Sequence, residues 1–389
     1  MSRSRVDDYL ARAAALEPLI RAHAARSERE SRLAPEIADA LHDAGLYRIM
    51  VPESLGGGGL TIPESLRVFE RVAQADASAG WNLAICADGP LFGQFVAREA
   101  FEEIYADPRG IVVGSLNPMG TRAVPCEGGW RLSGRGAYLS GNAQASWVMV
   151  AGLVIRDGKP SFPNGAPEIR AALLPIRHCK FEDTWNVTGM RGTGSHDCTF
   201  EEVFVPESFT YSWPDPVPSW DTGPFGRIPL TTQLGGALAS VAIGATQHVL
   251  DAFAELAGAK VPLGSRGLLR ERPFAQTHLA EATGLVRAGR LYVREANDEV
   301  WRRGAAGEPF DLESRASARL ASVTAVRLCL RAVDLIHDVA GMNAIQQGND
   351  VERGWRDLHT MSQHVILGTT RFEVVGRIML GLEPNSPMI

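Results

Sequence analysis

The 389-residue chain has little cysteine and none of the spacings that cysteine chemistry requires. Its five cysteines are odd in number, lie far apart and form no CxxC pair: Cys86, Cys126, Cys179, Cys198 and Cys329. We therefore expect neither a disulfide framework nor a zinc ribbon, and a reducing cytoplasm is the expected location. HExxH is also absent, and no carboxylate stands at helical ligand spacing from the histidines near the carboxyl end. No metal site is predicted.

The sequence shows no strong charge imbalance, and neither a secretory signal nor a membrane-spanning apolar run is predicted from it. Its formal net charge is -6 and its pI is about 5.9, which is not the footprint of a protein that binds nucleic acid or an anionic membrane. Asp7, Asp8 and Glu17 interrupt the apolar residues near the start, so no secretory signal is predicted. The longest weakly polar run, LGGALASVAIGA (Leu234–Ala245), is shorter than the ~20 residues that span a bilayer. We expect a soluble intracellular protein.

A further absence concerns nucleotide binding: no GxGxxG opens a strand-to-helix turn, which argues against a Rossmann unit for nicotinamide. The apolar spacing instead changes twice along the chain. It is helical in residues 1–109, alternates with a period of two in 110–217, and is helical again in 218–389. This order predicts an α+β protein segregated by domain: an N-terminal helical domain, a central β-domain and a C-terminal helical bundle.

Four segments resemble the acyl-CoA dehydrogenase superfamily, in the same order and across nearly the whole chain. They are VPESLGGGGL (51–60), GWRLSGRGAYLSGNAQASWVMVAG (129–152), WNVTGMRGTGSHDCTFEEVFVPE (185–207) and GMNAIQQGNDVERGWRDLH (341–359). The resemblance implies a central β-barrel-like domain that lines a flavin and a C-terminal four-helix bundle. One fold hosts several chemistries, so the reaction is a separate question.

The residues that a dehydrogenase of this family needs are missing. In the family a Glu precedes a Gly-Thr pair, and it removes the α-proton during FAD-dependent α,β-desaturation. The matching stretch here is ILGTT (366–370), with Leu367 in that place. A second subgroup carries its Glu at the start of the last long helix, which here reads LTTQLGGALAS (230–240) without any acid. Because leucine cannot abstract a proton, the acyl-CoA dehydrogenase is only the alternative interpretation.

The segment RDLHTMSQH (356–364) is similar to the branch of flavin-dependent two-component monooxygenases, in which a histidine follows the Arg-Asp pair. That resemblance implies an oxygenase component that receives reduced flavin (FAD or FMN) from a separate reductase. With O2 it forms a C4a-hydroperoxide and hydroxylates an aromatic or heteroaromatic small molecule. His364 is then the catalytic base, since an imidazole suits proton removal near neutral pH. An amino-sugar N-oxygenase and a catalytically silent flavoprotein remain open.

The same stretch reads as a helix, on which His359 and His364 would point about 140° apart. The two histidines are therefore not expected to share a metal or a substrate. We expect His359 to be structural or exposed. Without the resemblance, His364 has an equally simple interpretation as a hydrogen-bonded core histidine.

The resemblance places the flavin largely against the β-domain. It puts the Ser140 hydroxyl opposite flavin N5, as a second catalytic residue, and the Tyr138 ring against the isoalloxazine. In the GSLNP stretch it implies contacts to the ring edge or the reactants from Ser115, Leu116 and Asn117. An ordinary strand-end turn remains the alternative for Ser140.

Three further candidates come from the second β-motif. Trp185 would cover the flavin or wall the substrate cavity, although a core tryptophan has the same appearance in sequence. Thr193 and Ser195 belong to a turn with spare N–H and hydroxyl donors, which suits an anion or a flavin carbonyl. A plain β-turn would have the same sequence.

The remaining candidates lie in the C-terminal region. Arg272, within RERPFAQ (270–276), is the candidate for the flavin phosphate through its forked guanidinium, with an exposed loop arginine as the alternative. His337 and Gly341 match family positions near the dinucleotide. Because the family builds this site between subunits, the resemblance implies a homotetramer.

Overall fold

Helices and strands occupy separate parts of the chain, as the change in apolar spacing predicts. The computed structural model describes residues 4–386 and 388–389. Its helices are α1 Arg5–Glu30, α2 Pro35–Asp43, α3 Ile62–Ala73, α4 Ala77–Ala87, α5 Gly89–Gly93, α6 Arg98–Ala106, α7 Pro224–Arg227, α8 Leu230–Ala259, α9 Pro273–Ala306, α10 Leu312–Ala340, α11 Asp350–Met361 and α12 Thr370–Met379. Its strands are β1 Val112–Ser115, β2 Thr121–Cys126, β3 Gly129–Gly136, β4 Trp147–Arg156, β5 Lys159–Pro160, β6 Ile169–Pro175, β7 Lys180–Glu182, β8 Asp197–Pro206 and β9 Thr210–Trp213.

Side-chain caps fix the starts of α3 and α4. Thr61 and Glu64 form a reciprocal capping box at the start of α3, with Thr61 accepting from the Glu64 N–H and Glu64 accepting from the Thr61 N–H. Asp76 caps α4, where its carboxylate accepts the Ala79 N–H at 2.8 Å. Asp76 is only 4% exposed, so this cap fixes the start of a helix that is buried on nearly every side.

The β-domain, predicted to be barrel-like, is an open mixed sheet. Its strands follow the order β7-β8-β3-β2-β4-β6-β9, and β1 and β5 also pair with β4. β4 runs parallel to β1 and β2 but antiparallel to β6. Within the described residues the end strands β7 and β9 are not paired with each other, so hydrogen bonds do not close the sheet. The β3–β8 ladder ends at Gly136 opposite Cys198, which brings the loop after β3 beside the loop before β8.

The long helix α8 is apolar on all faces because it packs between both helical domains. It contacts α3 and α4 on one side and α9, α10 and α11 on the other. A Cβ on Gly244 would collide with the Glu70 carbonyl of α3, so glycine permits this close approach. By length and composition α8 also resembles a membrane span, but 78% of its apolar window is buried inside the protein. Its apolarity is explained by the protein core.

One local prediction is wrong, since His364 does not lie on a helix. α11 ends at Met361, and the segment 362–369 consists of turns. The Ser362 hydroxyl donates to the His359 carbonyl at 2.7 Å, and the His364 N–H bonds to the Met361 carbonyl three residues back. These bonds replace the i→i−4 pattern and end the helix. The 140° argument therefore fails, although the two histidines still have different neighbours.

Candidate active site

Trp81 connects the first helical domain to the two predicted catalytic residues. It lies in the middle of α4 and is 6% exposed. Its indole N–H donates to the Ser140 Oγ at 3.1 Å, and its ring meets the His364 ring edge-on with centroids 5.4 Å apart. Gly141, with φ of 74°, permits this approach because a Cβ there would lie 2.6 Å from Cys86 Sγ of α4. Ser140 and His364 are thus brought to the same tryptophan from segments far apart in sequence.

Three buried hydroxyls continue from Trp81 as a chain of hydrogen bonds with one direction. The Thr193 hydroxyl must donate to the Met190 carbonyl, 2.8 Å away, because a carbonyl only accepts. Ser195 then donates to Thr193 at 2.7 Å, and Ser140 donates to Ser195 at 2.6 Å. With its proton committed and one lone pair taken by Trp81, Ser140 keeps a single free lone pair. It is therefore available only as an acceptor.

The Arg-Asp pair of the last motif anchors the turn that carries two of these hydroxyls. Asp357 accepts the Met190 N–H at 2.5 Å, and Arg356 donates to the Thr188 carbonyl at 2.5 Å. Burial, followed by the nearby Asp76, raises the pKa of Asp357 to about 7. Arg356 also binds Glu28 of α1 at 2.6 Å, so three parts of the chain hold the turn in place.

His364 is a neutral imidazole whose proton position is fixed by the backbone. The Ile366 N–H donates to its Nδ1 at 3.3 Å, which leaves the proton of the neutral ring on Nε2. Burial lowers the pKa of His364 to about 4, with help from the positive charge of Arg319. Arg319 is itself 3% exposed and donates to the Ile366 carbonyl at 3.5 Å and to the Thr231 carbonyl at 2.7 Å. The ring thus presents an N–H near neutral pH.

Other predicted flavin contacts lie in the same β-domain but outside the hydroxyl chain. Tyr138 is 70% exposed, with its ring edge-on to Trp185 at 6.3 Å. The Trp185 indole N–H donates to the Met190 carbonyl at 3.0 Å, so Trp185 and the Thr193 hydroxyl share this acceptor. Ser115 is buried at the end of β1 and Leu116 is half-buried after it. The Asn117 side chain accepts the Met119 N–H, which makes it a local cap in this conformation.

Arg272, His337 and Gly341 are not brought to this cluster within one chain. Gly341 ends α10 with φ of 62°, next to Lys260, whose ammonium donates to the Ala340 carbonyl at 2.7 Å. His337 packs against Trp355 with ring centroids 5.0 Å apart. Arg272 begins α9 and is half-buried. These residues lie near the C-terminal ends of α8 and α10. Across the described parts of the chain, no group of three or more His, Cys, Asp or Glu side chains is placed to hold a metal ion.

His359, which we expected to be structural or exposed, contacts other residues than His364 does. Its Nε2 lies 2.9 Å from the Asp334 carboxylate, and its ring lies 4.3 Å from that of Trp355. Its side chain is 38% exposed. It therefore offers a natural control for His364.

Sequence reasoning missed Trp81 and Arg319, which contact the Ser140–His364 cluster, and Lys260, which lies beside Gly341. A signal existed for Trp81, because a tryptophan inside a mostly apolar helix still needs an acceptor for its indole N–H. Arg319 had a weaker signal, as a charged residue on the apolar face of a long helix. Lys260 had none.

Two family models match the chain: "Acyl-CoA dehydrogenase, N-terminal domain" over residues 8–103 and "Acyl-CoA dehydrogenase, C-terminal domain" over residues 237–368. Together they span more than half of the sequence. A solved structure, that of 3-HSA hydroxylase from Rhodococcus sp. RHA1, is similar with a TM-score of 0.89 and 25% identity, covering 98% of this chain and 99% of that one. The chain belongs to the acyl-CoA dehydrogenase family, and the predicted fold is confirmed.

Relatives within this family define the branch. An indole-3-acetate monooxygenase of Pseudomonas putida is 29% identical and covers 94% of this chain and 91% of its own length. The oxygenase component of an FADH(2)-dependent resorcinol hydroxylase of Rhizobium sp. is 28% identical and covers 96% of this chain and 94% of its own length. The predicted similarity to flavin-dependent monooxygenases is confirmed.

Reduced flavin fits the hydroxyl chain better than oxidised flavin does. N5 of reduced flavin carries a hydrogen and needs an acceptor, whereas oxidised N5 offers only a lone pair. Ser140 has an acceptor lone pair and no spare proton, so it complements the reduced form. Among the described residues the Asn82 Oδ1 is a second buried acceptor without a hydrogen-bond partner, and it lies 3.2 Å from the Cβ position of Gly141. The donors and acceptors present therefore match the cofactor that the branch uses.

Proposed function

We propose that this protein is the oxygenase component of a two-component flavin-dependent monooxygenase that hydroxylates an aromatic or heteroaromatic small molecule. The observation that carries the proposal is the one-directional hydrogen-bond chain ending at Ser140, with His364 beside the same Trp81. The dehydrogenase alternative is not favoured. Leu367, which stands where its base would be, is 0% exposed and packs in the core.

Each residue has a separate task in this proposal. Bound reduced flavin supplies, together with O2, the oxygen atom that is transferred to the substrate. Ser140 accepts a hydrogen bond at N5 and holds that hydrogen in place. Trp81 and the Ser195–Thr193 pair fix the direction of the Ser140 hydroxyl and keep water from it. His364 donates its Nε2–H to the substituent of the reacting ring, which orients the substrate and stabilises negative charge that develops there.

Further features are proposed on the basis of the similarity to flavin-dependent two-component monooxygenases. A separate reductase supplies the flavin, either FAD or FMN, and the protein acts in the cytoplasm. Arg272, His337 and Gly341 contribute to the cofactor of a neighbouring subunit in a homotetramer. Among the described residues, the contacts of His337 and Gly341 are with Trp355 and the end of α10 rather than with the Ser140 group, which fits a role toward another subunit.

The direct test supplies photoreduced flavin and O2 to the purified protein with a panel of phenols, indoles and other heteroaromatic compounds. Oxygenated product, identified by mass, is the expected result. The dehydrogenase alternative predicts a yellow protein with tightly held FAD that desaturates acyl-CoA and oxygenates none of the panel.

Replacement of the N5 partner is expected to have a modest effect. Ser140→Ala removes one hydrogen bond of ~1 kcal/mol, so the ratio of hydrogen peroxide to oxygenated product should rise about five-fold. Product and peroxide per reduced flavin are measured for the variant and the wild type, with circular dichroism as the folding control. An unchanged ratio would place Ser140 in the turn only.

The pH profile is expected to show no titration of His364 across the ordinary range of histidine. An unperturbed imidazole titrates at ~6.5, whereas the pKa of His364 is lowered to about 4. His364 therefore stays neutral as the pH falls from 8 to about 5.5, and product loss through its protonation should begin only below about pH 5. Asp357, with a pKa of about 7, titrates inside this window, so Asp357→Asn serves as the control. A product midpoint near 6.5 in both proteins would contradict the lowered pKa of His364.

A further inference from the structure

A buried positive charge lies beside the turn that carries His364. Arg319, on α10, is 3% exposed. Its Nη2 donates to the Thr231 carbonyl at 2.7 Å and its Nη1 to the Ile366 carbonyl at 3.5 Å, whereas within the described residues its Nε has no hydrogen-bond partner. A guanidinium has five N–H donors, so most of its donor capacity is unused. Burial lowers the pKa of Arg319 to about 10, and the side chain therefore remains charged at neutral pH.

The charges that surround Arg319 are positive. Arg371 and Arg315 act on its guanidinium, and within the described residues no acidic side chain does. Arg315 bonds to the Ile389 carbonyl and Arg371 to the Ser386 hydroxyl. The first turn of α8 has no side-chain cap and adds the positive end of a helix dipole. A buried cation without a counter-charge is unfavourable, and a nearby anion would offset that cost.

Ile366 connects this cation to the histidine of the candidate active site. The Ile366 carbonyl accepts from Arg319, and the Ile366 N–H donates to His364 Nδ1 at 3.3 Å. Arg319 therefore acts on His364 through one residue and needs no contact with the substrate. Its charge also lowers the pKa of His364, so its field extends to the imidazole. Since neutral His364 presents Nε2–H, both groups favour an acceptor with negative charge in front of the ring.

We propose that the protein binds its substrate as a phenolate, whose ionised oxygen accepts the His364 Nε2–H, with Arg319 as the positioning residue that holds His364 and compensates the negative charge. This inference rests on the proposed function and adds the substrate class, a phenol that releases its hydroxyl proton to solvent on binding. Ionisation makes the ring more electron-rich, which favours transfer of an electrophilic oxygen atom. An indole would instead place its N–H against the N–H of His364.

The ionisation of a bound phenol is measured directly. 4-Hydroxybenzaldehyde and 7-hydroxycoumarin, with one and two rings, change their near-ultraviolet absorbance when the hydroxyl ionises. Each is titrated with pH on the protein with reduced flavin in the absence of O2, so that no turnover occurs. We expect a bound phenol to ionise about one pH unit or more below the free phenol, because a nearby opposite charge shifts a pKa by about 1–3 units. Ionisation at the same pH as the free phenol, or no binding of either compound, would overturn the proposal.

Two replacements of Arg319 separate its charge from its hydrogen bonds. Arg319→Gln keeps an N–H but removes the charge, so the bound phenol should ionise at or above the pH of the free phenol. Arg319→Lys keeps the charge without the forked geometry and should retain at least about half of the downward shift. A purely structural role predicts that Gln and Lys behave alike, and that result would refute the role of the charge.

Arg331→Met is the matched control. Arg331 lies on the same helix, and its side chain is 61% exposed. This variant should retain the whole shift. Thermal melting identifies any variant that fails to fold, and Arg319→Met replaces Arg319→Gln if the latter does not fold.

Turnover gives a second measure of the same charge. With photoreduced flavin and O2, kcat/KM for a phenol should exceed that for its methyl ether by about tenfold or more, since one pKa unit corresponds to a factor of ten. Arg319→Gln should reduce this preference to about two-fold or less. If Arg319 instead served a carboxylate arm, Arg319→Gln would weaken binding of phenylacetate and leave phenol ionisation unchanged, which would contradict the proposal.

The two measurements separate this inference from the proposed function. If phenols bind as phenolates in an Arg319-dependent way but no ring is oxygenated, the proposed function fails and the inference stands. If rings are oxygenated while phenols ionise alike in the wild type and Arg319→Gln, the function stands and the inference fails.

Discussion

His364→Ala is expected to lower product formation by about 10²–10⁴-fold while reduced flavin and O2 are still consumed and hydrogen peroxide is released. In the proposed mechanism His364 acts on the substrate, whereas the group assigned to flavin N5 is Ser140. Removing the ring therefore leaves oxygen use intact and uncouples it from product. Product and peroxide are both measured per flavin oxidised, so that a loss of flavin binding is recognised as a fall in both.

His359→Ala is the matched control. This histidine lies five residues earlier in the sequence but contacts Asp334 and Trp355 on the outside of α10 and α11. Near-normal product is expected. If His359→Ala were inactive and His364→Ala normal, the assignment of the catalytic histidine would be wrong.

A second replacement distinguishes two roles of the ring. The Ile366 N–H occupies Nδ1, so neutral His364 offers Nε2–H as a donor in this conformation. If catalysis needs a donor, His364→Gln should retain part of the activity, since its amide supplies an N–H. If catalysis needs a base, Gln and Ala should be equally poor, because an amide does not take a proton near pH 7.

The fold was predictable because its signals are local or periodic. Apolar spacing changes near residues 109 and 217, and the structure changes from helix to strand between Ala106 and Val112 and back to helix between Trp213 and Pro224. The helix end at Met361 was not predictable from periodicity, because a Ser362 side chain competes for the His359 carbonyl. That the sheet stays open was not predictable either, since closure depends on pairing between strands that are distant in sequence.

The site was predictable only in part, for a related reason. Ser140, Thr193 and Ser195 were found because each belongs to a motif that resembles the family. Their joint geometry depends on contacts between positions 55 and 59 residues apart, such as Ser140–Ser195 and Trp81–Ser140.

Reduced flavin is expected to bind about thirty-fold more tightly than oxidised flavin, which is the second large effect. Reduced N5–H gains a hydrogen bond to Ser140, while oxidised N5 would face a lone pair and remain unsatisfied. The two contributions sum to roughly 2 kcal/mol, and each 1.4 kcal/mol is a factor of ten. Anaerobic titration with both redox forms of FAD and FMN measures the ratio.

Ser195→Ala tests the reason for this preference rather than its size. Without the Ser195 oxygen, the Ser140 proton loses its acceptor and is free to turn toward N5. Oxidised flavin should then gain affinity, and the ratio should fall to a few-fold or less. Ser212→Ala, at an exposed position on β9, is the control and should leave the ratio unchanged. The reduced and oxidised rings also differ in shape, but that difference is the same in both variants. A ratio that Ser195→Ala does not change would therefore show that ring shape, and not the direction of the hydroxyl chain, selects the reduced cofactor.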